Sequence, residues 1–464
     1  MPVNSFENYP MSWKPNKTKL ERPYYLSIAT MLEQDIINGS LPANTKLPPQ
    51  RELADFLDLN LSTITRAYKI CELKGLLYAV TGRGTFVSPG TFHKDTFIEE
   101  SNHLIEMGMI KPFYETNSLI LEVSKSIMEN SNSTKLFEYS SPLGTDKQLH
   151  AAVQWLKRYK INVSESNTMI VAGAQNALGV ILISLFKAGD KIVVDEFTYA
   201  NFRGLANLLH IQLITIEADR YGMIPEALLT TCKNSDIRGI YLMPTCSNPT
   251  SIFMPQKRRE ELVNIIQQYN LLLIEDDTYS FLAPANVKPF FSMIPDYTLH
   301  ICSLSKSLCP GLRVAFLAFP KQFSELLISG MLNLNLKTVS LNAEIIAELI
   351  ENGHADKIVN EKINLAQERN QIYKNFFPID DESIARFFHW LKLPANLASE
   401  EAEVLALHKG IHILGSHRFA MGSQNKSSYI RLSIASPSSK TDLTYALQTL
   451  NQIFDGQKYN LFED

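Results

Sequence analysis

Between residues 168 and 320 a set of short apolar runs recurs: "TMIVAG", "DKIVVDE", "IQLITIE", "GIYLMP", "NLLLIEDD", "LHICSLS" and "VAFLAFP". Amphipathic segments such as "QKRREELVNIIQQYN" separate them in places. A strand with one wet face alternates apolar and polar residues, whereas these runs are apolar at consecutive positions, as strands buried on both faces are. Interleaved with helices, they predict a parallel-rich α/β sheet covered on both sides. No repeat of fixed period accompanies them, and the stretch from "RNQIYKNFF" to "LQTLNQIF" mixes shorter strands and helices, which predicts a smaller α+β lobe.

Open α/β sheets bind ligands past the carboxyl ends of their strands, so the residues that follow the runs carry the chemistry. After "TMIVA" comes "GAQNALGVILISLF", a small turn opening a helix whose free N–H groups can hold a phosphate. After "GIYLMP" comes "TCSNPTS", after "NLLLIE" comes "DDTYS", and after "LHIC" comes "SLSKSLCPGLR". Singly, Gly173 reads as a turn glycine, Asn248 as a turn residue before Pro249, Asp276 as a helix cap and Lys306 as a solvated side chain. As a set they are the parts that hold pyridoxal 5′-phosphate. A lysine can form a Schiff base with its aldehyde, and a buried aspartate can keep its ring nitrogen protonated and the ring an electron sink. Neutral donors can bind its phenolate oxygen, while serine, arginine and a helix N-terminus can hold its phosphate. Lys306 and Asp276 follow different strand runs and stand 30 positions apart, which leaves room for a crossover and lets both face one crevice.

Residues 23 to 88 have a different pattern. "YYLSIATMLEQDIING" places Tyr25, Ile28, Leu32 and Ile36 at helical spacing and ends at Gly39. "LPPQRELADFLDL" opens with two prolines before a short helix, and "NLSTITRAYKICELKGLL" follows, with Asn60 or Ser62 as cap and Gly75 as stop. "YAVTGRGTFV" sets apolar residues on either side of Gly82 and Gly84, a β-hairpin signal. Three helices and a hairpin in this order predict a winged helix-turn-helix.

The stretch "LPPQRELADFLDLNLSTITRAYKICELKGLLYAVTGRGTFV" resembles the DNA-binding head of GntR-type regulators, and residues from about 109 onward resemble fold-type I, class-I aminotransferases. A GntR head on such a body resembles the MocR subgroup of bacterial regulators. The resemblance implies an N-terminal arm and head over 1–88 with its core at 23–88, a linker over 89–108 and a pyridoxal-phosphate-binding body over 109–464. In the head it implies DNA contacts from Arg51, Ser62, Thr63, Arg66, Arg83 and Thr85, although Leu61 and Thr65 stand where such heads often have arginine. In the body it implies Lys306 as the Schiff-base lysine, Asp276 on the ring nitrogen, Asn248 and Tyr279 at the phenolic oxygen, and Tyr199 stacked on the ring. Ser303, Arg313, Ala174 and Gln175 would hold the phosphate, and Tyr139 would reach the phosphate of a partner subunit. Arg431 in "YIRLSIA" would grip a substrate or effector carboxylate, and Gly144 would lie near the entrance. Phe197, His150 and Ser251 replace a proline, an arginine and a glycine usual at those places. The expected partners are a double-stranded DNA operator, a small amino compound and a second copy of the chain. An active aminotransferase with an accessory head remains the alternative.

Bulk properties agree with two or three folding units in 464 residues. The net charge is −4, yet residues 1–90 hold ten Lys/Arg against eight Asp/Glu, leaving 34 against 40 for the rest, so the head is slightly basic on an acidic body. The five cysteines include no C-x-x-C pair, so reduced thiols and no metal are expected. The N-terminus lacks an apolar signal core, and no window has the roughly 18 apolar residues of a membrane span, so a cytoplasmic protein with no membrane partner is expected.

Overall fold

A computed structural model describes residues 11–37, 40–42, 45–73, 76–80, 84–88, 104–130, 133–379, 384–421 and 428–459. The chain divides into two compact units, one of residues 1–96 and 203–210 and the other of residues 97–202 and 211–464.

The first unit holds helices α1 (Tyr24–Ile37), α2 (Gln50–Leu57) and α3 (Leu61–Leu73), followed by a hairpin of Leu77–Val80 and Gly84–Val87. The hairpin pairs Leu77 with Val87 and Val80 with Gly84, antiparallel. Helix α2 starts directly after Pro49 and ends at Asp58, whose backbone turns left-handed (φ 56°, ψ 46°) and donates to Ala54 O and Asp55 O. The Asn60 carbonyl accepts the Thr63 N–H at 2.9 Å, so Asn60 stands at the head of α3. Gly39, Gly75 and Gly82 lie outside the described residues.

Ile64, Ala67, Tyr68 and Cys71 of α3 are all buried, the spacing of one helix face. They pack in one cluster with Ile28, Leu32, Leu53 and Leu57. The Tyr68 hydroxyl donates to Pro48 O at 2.9 Å and so ties α3 to the entry of α2. The opposite face of α3 leaves Ser62, Thr65, Arg66 and Lys69 exposed. Trp13 joins this core from before the first helix: it is 5 % exposed, and its Nε1 donates to Asp35 Oδ2 at 2.8 Å.

The second unit is organised around a seven-stranded sheet whose order is Thr168–Val171, Ala315–Ala318, Thr298–Ser303, Leu272–Asp276, Gly239–Leu242, Lys191–Asp195, Gln212–Ile216. Each apolar run quoted above supplies one of these strands. Six of the seven run in one direction, and Ala315–Ala318 is antiparallel to both its neighbours. Burial at every position of Leu272–Asp276 and Thr298–Ser303 explains their unbroken apolar pattern. A smaller antiparallel sheet of Phe388–Lys392, Tyr429–Ser433 and Leu414–Gly415 forms the C-terminal lobe. Ile105–Glu106, within the stretch read as linker, form a short parallel pairing with Ile411–His412. Met107 beside them is fully buried in the core of that lobe.

Candidate functional site

The segments that follow the central strands converge. Lys306 sits on a single helical turn, Leu304–Ser307, directly after Thr298–Ser303. Its Nζ donates to the Ile110 carbonyl, and it is partly buried. Burial first, then the cations Arg431, Lys362 and Arg313, push its pKa down to about 7. At neutral pH about half of such amines are unprotonated, against roughly one in a few thousand for an ordinary lysine. Only the unprotonated amine attacks a carbonyl.

Asp276 is the last residue of its strand and is 3 % exposed. It accepts hydrogen bonds from Tyr241 Oη at 3.0 Å and Thr278 Oγ1 at 2.7 Å, while burial pushes its carboxyl up. Tyr241 in turn stacks on Phe202, with ring centroids 3.9 Å apart. The Tyr199 phenol accepts from Asn201 Nδ2 at 3.1 Å; burial and then Asp276 push it up, whereas Asn201, Arg431 and Arg313 pull it down. Tyr279, 2 % exposed, packs against Phe281, Phe387 and Phe388. Thus Tyr199 feels the charges of Asp276, Arg431 and Arg313 together, and Lys306 feels both arginines.

The phosphate-type donors lie at the start of the helix Ala174–Leu185. Gly173 precedes it with φ +85°, and no side chain caps the helix's free N–H groups. A Cβ at Gly173 would stand 2.4 Å from Arg313 Nη2, so a bare backbone there lets the guanidinium reach the helix start. Arg313 Nη1 also donates to Ser305 Oγ at 3.0 Å, and Ser303 Oγ accepts from the Ser305 N–H at 3.4 Å. Gln175 directs Nε2 to Asn201 O at 3.5 Å and keeps its Oε1 buried without a partner. Uncapped amides, two hydroxyls and a guanidinium drawn close by the bare Gly173 backbone supply the charge and the donors that a phosphate needs, beside a buried carboxylate and a lysine. The residues present therefore fit pyridoxal 5′-phosphate.

Arg431, on the lobe strand Tyr429–Ser433, donates to Asn248 Oδ1 and to Gly108 O, both at 2.6 Å. Its Nε is buried without a partner, and burial lowers its pKa to about 10. This bond ties the lobe to the end of the Gly239–Leu242 strand. Gly144, with φ +123°, precedes Thr145, the cap of the helix Asp146–Arg158. Tyr139 is 93 % exposed.

Sequence reasoning missed Tyr241, Phe202 and Lys362, and it left Thr278 and Ser305 without roles although both lie inside the quoted motifs. It also missed a buried group behind Asp276. There Glu275 accepts the Phe290 and Phe291 N–H groups at 2.8 and 3.0 Å and meets His300 Nδ1 at 2.8 Å, with Asp277 close by. Both Glu275 oxygens are thereby engaged.

In the head, Arg51, Ser62 and Arg66 are exposed and Thr63 and Thr85 half-buried. The Arg66 guanidinium lies 3.9 Å from the centre of the Tyr25 ring. Arg83 lies outside the described residues. No helix among the described residues is long and apolar enough to cross a membrane, and the five cysteines are free thiols.

Residues 104–450 match the family model of aminotransferase class I and II, and residues 24–87 match that of bacterial regulatory proteins, gntR family. The HTH-type transcriptional regulator YdeF of Bacillus subtilis is 39 % identical over 461 residues, covering 98 % of this chain and 99 % of its own. The HTH-type transcriptional regulator NorG of Staphylococcus aureus is 23 % identical over 84 % of this chain and 95 % of its own. Among solved structures, an archaeal alanine:glyoxylate aminotransferase shares the fold of the body with a TM-score of 0.71, 21 % identity, and coverage of 76 % of this chain and 91 % of that one. The chain belongs to the MocR-type transcriptional regulators, in which a GntR-family DNA-binding head is joined to an aminotransferase class I and II body.

Proposed function

We propose that this regulator holds pyridoxal 5′-phosphate in its body and uses it to sense a small amino compound, with the result read out as a change in how the head binds operator DNA. The observation that carries the reading is the gathering past the ends of the central strands of a lysine with a depressed pKa, a buried aspartate and an arginine at the start of a helix. The bound cofactor supplies an aldehyde that captures amines and a ring that accepts electrons. The chain does the rest. Lys306 would offer an unprotonated amine to that aldehyde. Asp276, fixed by Tyr241 and Thr278, holds a proton on the ring nitrogen. Gly173, Ala174, Gln175, Ser303 and Arg313 would hold the phosphate, Tyr199 would stack on the ring, and Asn248 and Tyr279 would bind the phenolic oxygen. Arg431 turns from Asn248 to a ligand carboxylate, so α-amino acids are the favoured class.

In this reading residues 1–88 serve as the head, 89–108 as the linker and 109–464 as the ligand body, in a cytoplasmic homodimer whose two heads read two half-sites. A tyrosine left as exposed as Tyr139 suits a role in the partner subunit's site. Arg51, Ser62, Thr63, Arg66, Arg83 and Thr85 face the DNA, with the exposed face of α3 in the major groove and the hairpin as wing. Arg66→Ala is expected to weaken operator binding and, through a lost phosphate contact, to reduce by about one the slope of log affinity against log salt. The cofactor's spectrum stays unchanged. A titration at several salt concentrations checks both; unaltered binding contradicts the assignment of α3.

The chain carries the lysine, aspartate and arginine that amino transfer would use, Arg431 included, which keeps catalysis as the second reading. Amino donors mixed with 2-oxoglutarate distinguish the two. Steady product formation at ordinary enzyme rates, from a protein without sequence-selective DNA binding, overturns the regulator reading.

A further inference from the structure

Lys362 lies on the long helix His354–Lys374 and is fully buried, although a lone ammonium is costly to bury. No carboxylate among the described residues forms an ion pair with it. Its Nζ donates instead to two main-chain oxygens, Leu308 O at 2.5 Å and Lys306 O at 3.4 Å. These carbonyls close the helical turn Leu304–Ser307, where a short helix leaves its acceptors unsatisfied. A neutral donor such as glutamine also suits two carbonyls, so hydrogen bonding alone does not explain a cation at this place.

We propose that Lys362 is a positioning residue for Lys306: it fixes the carbonyl end of the turn that carries Lys306, and its buried charge beneath that turn keeps the Lys306 amine unprotonated and reactive toward an aldehyde. The inference rests on the cofactor reading given above. The charged groups that face Lys306 are Arg431 from the lobe strand, Lys362 from the long helix and Arg313 from the loop before Ala315. All three oppose a proton on it. Burial pushes the pKa of Lys362 itself down to about 8, opposed in smaller measure by Cys309 and Glu115. It is therefore mostly protonated at neutral pH. Removing its charge must raise the proton affinity of Lys306.

The test measures the Lys306 amine without any cofactor. The full-length protein, stripped of cofactor by dialysis against hydroxylamine, is labelled with trace acetic anhydride from pH 5 to 10, and acetylation of the Lys306 peptide is followed by mass spectrometry. The expected midpoint is near neutral pH in the wild type and about one pH unit higher in Lys362→Met, a roughly fivefold loss of reactive amine at pH 7. Lys362→Arg, which keeps the charge, should stay within about 0.3 units. Should the methionine variant not unfold cooperatively, Lys362→Gln takes its place, keeping a donor and losing the charge. A midpoint unmoved in the uncharged variant overturns the proposal, as does an equal shift in the arginine variant. A parallel sample loaded with pyridoxal 5′-phosphate and reduced with borohydride tests the other reading: cofactor absent from Lys306, with the labelling shift intact, contradicts the cofactor reading and leaves the role of Lys362 standing.

Discussion

Lys306→Ala protein given pyridoxal 5′-phosphate is expected to show no visible absorption band of a lysine-linked cofactor, and borohydride should fix no cofactor to the chain. The loss is complete rather than partial because the covalent link needs an unprotonated amine within reach of the aldehyde. Two other cations near Lys306 are arginines, whose guanidinium groups stay protonated. The third, Lys362, is committed to Leu308 O and Lys306 O beneath the turn. In the wild type, attachment should rise through pH 7 and level off above it, following the unprotonated fraction of an amine whose pKa lies near 7. Head function should survive, since Lys306 belongs to the body. A retained band, with the cofactor trapped on Lys362 or elsewhere, contradicts the assignment.

Arg431→Met should have the second largest effect. The guanidinium is 6 % exposed, its Nε lacks a partner, and its two other nitrogens bond Asn248 and Gly108. A ligand carboxylate taking two parallel charge-assisted bonds from it gains roughly 3 kcal/mol, so the apparent affinity for α-amino acids should fall about 100-fold. Amines without a carboxylate should lose no more than about threefold, because they never used the pair. Losing this cation also raises the proton affinity of Lys306, so attachment in the variant should begin at higher pH. Spectral titration with paired amino acids and decarboxylated amines reads both effects. An equal loss for both members of each pair assigns carboxylate recognition to another residue.

The central sheet was readable in the amino-acid sequence because its strands are buried on both faces, so burial itself writes an unbroken apolar run. The ends of those runs were equally legible, since Ser303, Lys306 and Arg313 sit within eleven residues and the fold delivers them to one place. Other contributors leave no local trace. Tyr241 reads as one more apolar residue of its strand, yet its hydroxyl reaches Asp276 across 35 positions of chain. Lys362, in "NEKINLAQER", looks like the wet face of a helix; only the packing of that helix against the Lys306 turn makes it a core residue. Ile105–Glu106 failed to register as a strand because two residues carry no periodicity, and their partners lie about 300 positions away. Trp13, too, precedes the helical pattern of the head and gives no sign of joining its core.

Coupling between the amine site and the head is the claim on which the proposed function stands. The most direct measurement is the affinity of the cofactor-loaded, full-length protein for its own upstream DNA at fixed salt, with and without an amino compound that shifts the visible band. The expected change is about 5- to 150-fold, the range of an ordinary coupling of roughly 1–3 kcal/mol, and it should vanish in Lys306→Ala. Identical DNA affinity with and without the compound, in a wild-type protein whose band has shifted, would contradict it.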